Sequence, residues 1–285
     1  MSDIRVTPRN IASKVIFALK KHFRYLNIYA TPRNITHTSD CYFYHTMDLP
    51  IIGTINGNWD IREDMGHYLG NVDLKEKRVL DIGAASGSLS FYMENQGAEV
   101  VSYDLKSGAD WDLVPYAKWE QYYQCLDDRE ITIEKLKNSY WYAHRLNQSK
   151  AKAVYGNVYQ IPKEIGLVDI TLYGCILLHL KNPFDALQSG LRLTRETAII
   201  TDQVRPYLNS IMPTQVFMPD AKEFKIFDVW WYLNPEIIVK MLEVLGFEDT
   251  KVSYHQALFN GQKESLYTVV GHRTSDLKFD DFTSH

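Results

Sequence analysis

Short apolar segments alternate with segments of helical periodicity along most of the chain. Residues 79–82 and 168–173 are short, mostly apolar runs, as expected of strands buried in the middle of a sheet. Between such runs, apolar residues recur every three to four positions, which is typical of amphipathic helices. The alternation predicts an α/β protein in which helices cover both faces of a mostly parallel, seven-stranded sheet. The predicted strands are residues 77–83, 99–104, 151–155, 168–173, 196–201, 251–254 and 266–270.

Turn and capping residues indicate where several elements begin and end. Pro235 at a first helical position and Gly246 after the last apolar position predict a helix between them. Asn260-Gly261, between the last two strands, is a hairpin signal, so the last strand should run antiparallel to its neighbour. The other predicted helices of this part of the chain are residues 87–95, 130–148 and 183–193.

The first 65 residues differ in character from the rest. Thr7-Pro8 begins a predicted amphipathic, basic helix that runs to about Phe23, and residues 25–65 are predicted to be irregular. We divide the chain into residues 1–65 (the N-terminal helix and a flanking segment), an α/β domain over residues 66–273 and a polar tail at residues 274–285. Inside the domain, residues 106–148 and 203–233 are interpreted as insertions, because a simple α/β step is shorter.

The turn after the first strand of this domain is rich in glycine. Gly83 and Gly87 allow the backbone to turn sharply from strand into helix and to pass close to a ligand. Ala85 and Ser88 stand where a dinucleotide-binding turn needs glycine, and no Gly-Lys-Ser/Thr sequence follows. The turn therefore fits neither a dinucleotide site nor a phosphate-binding P-loop.

Two carboxylates accompany this turn. Asp81 lies inside the first strand, where it suits a cationic group such as an amino-acid ammonium better than a pyrophosphate. Asp104 ends the next strand, and an acid at that position can accept hydrogen bonds from two ribose hydroxyls. The two acids and the two glycines together predict a ligand that carries a ribose and a cationic group.

These residues resemble a known family. Residues 81–88 and 100–104 are similar to the first two motifs of class I S-adenosylmethionine-dependent methyltransferases, with Ala85 in place of the usual middle glycine, and the resemblance extends over about residues 40–272. Residues 155–162 resemble the family's adenine-reading turn. Residues 59–62 and 168–183 resemble one branch, which includes tRNA wobble-uridine modifying enzymes and uncharacterised small-molecule and sugar methyltransferases.

The resemblance implies a Rossmann-like three-layer sandwich and S-adenosylmethionine as the cofactor. In the family, the glycine turn holds the methionine part, the acid of the second strand holds the ribose, and aromatic and basic residues lie beside the cofactor. The cofactor-binding residues that the resemblance implies are Trp59, Arg62, Asp81, Gly83, Ala84, Ala85, Gly87, Asp104, Leu105, Asn157, Val158 and Gly174.

The acceptor site is less constrained by the sequence. His179 follows the fourth strand at the sheet edge where ligands bind, and histidine is the best-tuned base near neutral pH. Tyr173, Asp202 and His45 are the other groups that could take a proton from an oxygen acceptor. Aromatic residues are concentrated in residues 111–142 and 203–233, where they either form ordinary core helices or wall the acceptor site. The predicted substrate-binding residues are Arg205, Trp230 and Trp231.

Composition bears on the compartment. No apolar run approaches the ~18 residues that cross a bilayer. Cys41, Cys125 and Cys175 form no CxxC pair, which indicates a reducing compartment, and we expect the cytoplasm. No cluster with metal-ligand spacing occurs, so we expect no metal.

Charge bears on the choice of partner. Residues 1–39 carry a net charge of +6, which leaves −10 for the rest of the chain. A basic N-terminus could contact RNA phosphates, whereas an acidic body disfavours a broad nucleic-acid surface. We therefore predict in-line methyl transfer from S-adenosylmethionine to an oxygen or nitrogen of a small-molecule or sugar acceptor. An RNA (tRNA) modifying methyltransferase and a non-catalytic, cofactor-binding partner subunit remain as alternatives.

Overall fold

An eight-stranded mixed sheet forms the centre of the protein. The computed structural model describes residues 28–118, 120, 122–206, 211–222 and 226–275, so the predicted N-terminal helix and residues 276–285 of the predicted tail lie outside the described residues. The strands are β1 (Met47–Leu49), β2 (Gly53–Ile55), β3 (Trp59–Asp60), β4 (Arg78–Ile82), β5 (Glu99–Asp104), β6 (Lys152–Tyr155), β7 (Val168–Gly174), β8 (Thr194–Gln203), β9 (Gln215–Phe217), β10 (Trp231–Leu233), β11 (Asp249–Phe259) and β12 (Gln262–His272).

Five α-helices are described, and α2, α4 and α5 follow the predicted positions. They are α1 (Met65–Tyr68), α2 (Ser88–Asn95), α3 (Tyr122–Leu146), α4 (Pro183–Leu191) and α5 (Pro235–Val244). The side chains of Asn182 and Asn234 accept hydrogen bonds from the first turns of α4 and α5, and a proline follows each cap. The backbone of Gly246 has φ +84° just beyond α5, which only glycine adopts freely.

The order of the large sheet is β3-β11-β12-β8-β7-β4-β5-β6. Strands β4 to β8 pair in parallel, whereas β12 is antiparallel to β8 and to β11. The mostly parallel sheet with an antiparallel last strand is therefore confirmed, and its seven predicted strands are all present. The strand number was wrong by one, because β3 adds two residues to the edge of β11. Two residues are too few to show a periodicity in the sequence.

Helices pack on both faces of the sheet and complete the predicted three-layer, Rossmann-like architecture. On one face, buried residues of α4 and α5 such as Leu187 and Leu242 share a core with β4, β7 and β8. On the other face, Leu89 and Met93 of α2 pack with Tyr68 of α1. The central strands are buried on both faces, which explains their nearly continuous apolar runs.

The sheet order creates one crevice that matters for function. Strand β4 has β5 on one side and β7 on the other, so the connections leave it in opposite directions. In open parallel sheets, ligands bind at such a switch point, beyond the carboxyl ends of the strands. The glycine turn after β4, the end of β5 and the end of β7 all lie at this edge.

Two segments differ from the sequence prediction. Residues 25–65 are not uniformly irregular, because β1 pairs with β2 and β3 joins the sheet. Helix α3 begins at Tyr122 rather than near residue 130. In both cases, the elements are short or polar, and packing against distant parts of the chain decides them rather than local periodicity.

Candidate active site

A cavity of about 230 Å³ opens at the switch point of the sheet. Its walls come from the ends of β4, β5 and β7, from residues 42–45 before the domain and from α3. Apolar and aromatic side chains make up most of the surface, with a few polar groups among them. The predicted site residues that line it are Trp59, Gly83, Ala85, Asp104, Leu105, Val158, Gly174 and His179.

The glycine turn brings the backbone itself to the cavity. Gly83 has φ +81°, and a Cβ atom there would lie 2.3 Å from the Cγ2 atom of Ile176. Gly87 does not line the cavity; its φ of +87° begins α2, and a Cβ there would meet the ring of Phe91 at 2.5 Å. Ala85, which stands between them, has φ +50°, a left-handed conformation that costs a non-glycine residue about 1–2 kcal/mol.

Asp104 is the best-placed group for a ribose. Its Oδ2 atom accepts the N–H of Ala85 at 2.6 Å, and its Oδ1 atom accepts the N–H of Leu105 at 2.7 Å. Each carboxylate oxygen has a second lone pair, so both can also accept a hydroxyl. Burial raises the pKa of Asp104, and the two backbone donors counteract that shift. The carboxylate is therefore fixed in place with two acceptor positions to spare.

Asp81, in contrast, lies behind the turn and does not line the cavity. Its Oδ2 atom accepts the hydroxyl of Ser90 at 2.5 Å, and Ser90 in turn contacts the hydroxyl of Ser102 at 2.8 Å. Burial raises the pKa of Asp81 to about 7. Asp81 thus joins β4 to α2 below the turn, and its contact with a ligand stays a prediction.

Of the two residues predicted to bind the adenine, one lines the cavity and the other does not. Val158 lines the cavity, but the side chain of Asn157 does not. The Oδ1 atom of Asn157 accepts the N–H of Tyr159 at 2.8 Å and caps its own turn. The side chain of Tyr159, which the sequence did not single out, does line the cavity, and its hydroxyl donates to Asp112.

His179 is one of two predicted bases that line the cavity, and the other is His45. His179 lies in the turn after β7, and its Nδ1 atom is bonded to the backbone carbonyl of Asp228. A carbonyl can only accept, so Nδ1 carries the proton and Nε2 keeps a lone pair. Burial lowers the pKa of His179, which keeps the ring neutral near pH 7.

Two of the other predicted bases are buried away from the cavity surface, and the third, His45, lines it. Tyr173 is fully buried on the opposite side of β7, and its hydroxyl donates to the carbonyl of Ala186 at 2.6 Å, so it cannot meet an acceptor. Asp202 is buried behind the cavity wall, where burial raises its pKa to about 7 and its Oδ2 atom has no hydrogen-bond partner. His45 does line the cavity, and burial lowers its pKa to about 4.

The predicted substrate-binding residues lie beside the cavity rather than on its surface. Trp230 packs behind the wall and donates its indole N–H to the carbonyl of Asp112 at 2.6 Å. Trp231 donates its indole N–H to the carbonyl of Lys181 at 3.1 Å. Arg205 binds Gln203 and lies 3.8 Å from a carboxylate oxygen of Glu264. None of the three lines the cavity, and the polar group of each is engaged in a contact within the protein; their role in substrate binding stays a prediction.

Two further residues predicted to bind the cofactor do not line the cavity. Arg62 donates to Asp60 at 2.7 Å and to Asp48 at 2.7 Å, and its place beside a cofactor stays a prediction. Ala84 is buried next to the cavity under the glycine turn and does not line it. Trp59 does contact the cavity, and its indole N–H donates to the hydroxyl of Tyr44 at 3.1 Å.

Sequence reasoning missed most of the wall opposite the glycine turn. Tyr42, Tyr44 and Tyr68 come from segments upstream of β4, and Trp111 and Arg129 come from the first insertion. The only signal for them was the concentration of aromatic residues in the insertion. That concentration was partly misleading, because the tyrosines and tryptophan at residues 140–142 are core residues of α3.

The polar groups of this opposite wall are mainly acidic. Asp110, Asp112 and Asp228 line the cavity together with one cation, Arg129. The guanidinium of Arg129 is engaged by the carboxylate of Asp228 at 2.6 Å. The wall therefore presents no unpaired cation among the described residues. Within the same residues, no cluster of three metal-binding side chains occurs and no helix is long and apolar enough to cross a membrane.

Comparisons with known proteins add the following findings. No protein-family model matches the chain, and no curated protein matches it in sequence. A methyltransferase described as S-adenosylmethionine-dependent from Methanosarcina mazei has a similar structure, with 13% identity and a TM-score of 0.49 over 71% of this chain and 94% of that one.

Two further solved structures are similar at the same level. The magnesium protoporphyrin IX methyltransferase of Synechocystis PCC 6803, with bound S-adenosylhomocysteine, shares 13% identity with a TM-score of 0.44 over 75% of this chain and 82% of that one. An S-adenosylmethionine-dependent methyltransferase from Aquifex aeolicus shares 15% identity with a TM-score of 0.44 over 73% of this chain and 89% of that one. Because these likenesses are distant, we derive function from the residues of the cavity.

Proposed function

We propose that this protein is an S-adenosylmethionine-dependent methyltransferase that acts on an oxygen or nitrogen of a small-molecule or sugar acceptor. The observation that carries the proposal is Asp104, a fixed carboxylate at the switch point of the sheet with two acceptor positions open toward the cavity. At the glycine turn beside it, Gly83 and Ala85 line the cavity, so a ligand there can approach the backbone closely.

The residues present fit the cofactor in three places. Asp104 accepts the two ribose hydroxyls, Val158 and Leu105 supply apolar surface for the adenine, and the backbone at Gly83 and Gly174 borders the methionine part. At Gly174, a Cβ atom would lie 2.9 Å from the Tyr68 hydroxyl, so the close packing of this cavity-lining tyrosine on the strand end needs glycine. When bound, the cofactor supplies a methyl group on a positively charged sulfur, which is already a good leaving group.

The protein's own part in the reaction is alignment, proton removal and exclusion of water. Aromatic side chains, including Tyr44, Trp59 and Trp111, enclose the acceptor half of the cavity and hold an acceptor in line. The Nε2 atom of His179 accepts the proton that a hydroxyl or protonated amine must lose. Because the ring is neutral near pH 7, it is ready to act as a base without prior deprotonation.

The charges of the cavity support a small acceptor over RNA. Three aspartates line the acceptor half; Arg129 pairs with Asp228 and Lys181 lies 3.6 Å from Asp112, so a phosphate backbone would face the remaining negative charge of Asp110 there. A neutral or cationic, flat molecule suits aromatic walls with carboxylates between them. The three cysteines are free among the described residues, which suits our proposal of a cytoplasmic protein.

Calorimetry with S-adenosylmethionine and S-adenosylhomocysteine tests the cofactor site on the full chain. The wild-type protein should bind both below millimolar concentrations. Asp104→Asn removes one of two charge-assisted acceptors, each worth about 1.5–3 kcal/mol, so affinity should fall roughly tenfold or more. Asp249→Asn, an exposed carboxylate on β11 that does not line the cavity, is the matched control and should change affinity little. Equal losses in both variants, or no binding by the wild type, would refute the proposal.

Two further measurements address the alternatives. A binding partner that does not catalyse would bind the cofactor but transfer no label when extracts are screened with radiolabelled S-adenosylmethionine. An RNA-modifying enzyme would bind tRNA with an affinity that falls steeply as salt increases. We expect label on a small molecule and only weak tRNA binding.

A further inference from the structure

The two insertions meet each other directly above the candidate base. Arg129 lies on α3, which belongs to the first insertion, and Asp228 belongs to the second. Their side chains form an ion pair of 2.6 Å, and both are largely buried, with 19% and 27% of the side-chain surface exposed. The backbone carbonyl of the same Asp228 accepts the Nδ1 proton of His179. One residue thus connects the arginine to the histidine.

Arg129 is held firmly in this position. Its guanidinium carbon lies 4.4 Å from the ring centre of Trp111 and 5.2 Å from that of Phe227, so the cation is stacked on aromatic rings from both insertions. The chain just after Asp228 is also anchored, because the N–H of Trp230 donates to the carbonyl of Leu178 at 2.8 Å. The position of the Asp228 carbonyl is therefore held by the ion pair of the Asp228 side chain and by the backbone hydrogen bond of Trp230.

We propose that Arg129 is a positioning residue for His179: by binding the Asp228 side chain, it holds the Asp228 carbonyl on Nδ1 and so fixes the tautomer that leaves the Nε2 lone pair facing the acceptor. The inference rests on the proposed function for the use of this base, but the tautomer itself can be measured without a substrate. The ion pair between the two insertions then serves catalysis, because the base is correctly oriented only when the insertions are in contact.

The two charged groups that act on the His179 ring among the described residues are Asp228 and Arg129. The negative charge of Asp228 raises the pKa of His179 and the positive charge of Arg129 lowers it, while the carbonyl bond also raises it. Arg129→Gln removes the positive charge, which raises the pKa of His179. It also weakens the bond to the carbonyl, which lowers that pKa. The tautomer, which depends on the carbonyl alone, is therefore a clearer measurement than the pKa.

Long-range proton–nitrogen NMR on the full chain with labelled histidine tests the proposal. The ring of His179 is assigned by the loss of its signals in His179→Gln. In the wild type above the pKa, we expect protonated Nδ1 and unprotonated Nε2. In Arg129→Gln, the Nε2 resonance should move toward the protonated range, because the carbonyl is no longer held in place. Arg129→Lys, which keeps the ion pair, should restore the wild-type signal.

Two more variants separate positioning from general disturbance. Asp228→Asn keeps the backbone carbonyl but loses the ion pair, so it should shift the His179 signal as Arg129→Gln does, and the double variant should shift it no further. Arg195→Gln is the matched control, because Arg195 and Asp169 form an ion pair of the same 2.6 Å at the opposite end of β7. It should leave the signal unchanged.

Some outcomes would overturn the inference. An unchanged tautomer in both Arg129→Gln and Asp228→Asn would show that the ion pair does not position the ring, and so would an equal shift in Arg195→Gln. S-Adenosylhomocysteine binding is measured on the same samples, so that failure of the positioning role can be distinguished from failure of the proposed function. Samples that bind it normally but keep the tautomer refute only the role of Arg129, whereas a wild type that does not bind it refutes the cofactor site.

Discussion

The buried carboxyl of Asp81 should make the stability of the protein depend on pH. Burial raises its pKa from an ordinary 3.8 to about 7 in the folded state. Between these values, the folded protein keeps a proton that the unfolded chain has lost, so unfolding releases protons and a rise in pH favours it. The stabilising contribution is therefore complete below pH 4 and is lost as the pH rises through 7.

The magnitude follows from the size of the shift. A difference of one pKa unit corresponds to about 1.4 kcal/mol. Because only the unfolded chain ionises Asp81 between pH 4 and pH 7, the unfolding free energy should fall by about 4 kcal/mol over this range. Asp81→Asn does not ionise, and its amide oxygen still accepts the hydroxyl of Ser90. The variant should match the wild type near pH 4 and exceed its stability by several kcal/mol at pH 7.5.

Urea denaturation at half-unit intervals from pH 4 to pH 8 measures this difference. Asp202→Asn is the matched comparison, because burial also raises the pKa of Asp202 to about 7 and it lies on a different strand. Each variant should remove its own share of the pH dependence, and the double variant should remove both. Curves for Asp81→Asn that run parallel to the wild type over the whole range would refute the reasoning.

Two further predictions concern backbone geometry and helix capping. Ala85→Gly should raise the unfolding free energy by about 0.5–1 kcal/mol, because it relieves a positive φ. Ala84→Gly should lower the unfolding free energy. Urea denaturation that ranks the two variants the other way would contradict this. Asn234→Ala should lower the unfolding free energy by about 1–2 kcal/mol, since its side chain caps α5 and also accepts the N–H of Thr214 at 2.9 Å. Asn182→Ala removes an exposed cap on α4 and should lower it less in the same assay, so equal losses would contradict the role of burial.

The cofactor half of the site was largely predictable from the sequence. The signals for Gly83 and Asp104 lie within one strand–turn–helix–strand unit, and the sheet then places the ends of its parallel strands side by side. The errors within this half concern direction. Asp81 is predicted in the ligand site because of its distance from the turn, but alternate residues of a strand point to opposite faces. Below the turn, Ser90 donates its hydroxyl to Asp81 and also contacts Ser102.

The acceptor half was mostly not predictable. Tyr42, Tyr68, Trp111, Arg129 and Asp228 come from separate segments with no shared motif, and they meet only because the insertions and the upstream segment fold over one edge of the sheet. His179 was selected from its place after β7, but the contact that decides its tautomer is the carbonyl of Asp228, 49 residues away. A backbone carbonyl has no signature in the sequence.

The sequence alone therefore determined the elements that depend on neighbours in the chain: the apolar runs of the strands, the capped helices, the Asn260-Gly261 hairpin and the glycine turn. Their signals are local, because steric limits on the backbone and hydrophobic periodicity act over a few residues. Only the tertiary structure decided which polar groups reach the cavity. That outcome depends on burial and on hydrogen bonds between residues far apart in the chain, and these place Tyr173 and Arg62 away from the cavity, and His179 on its wall.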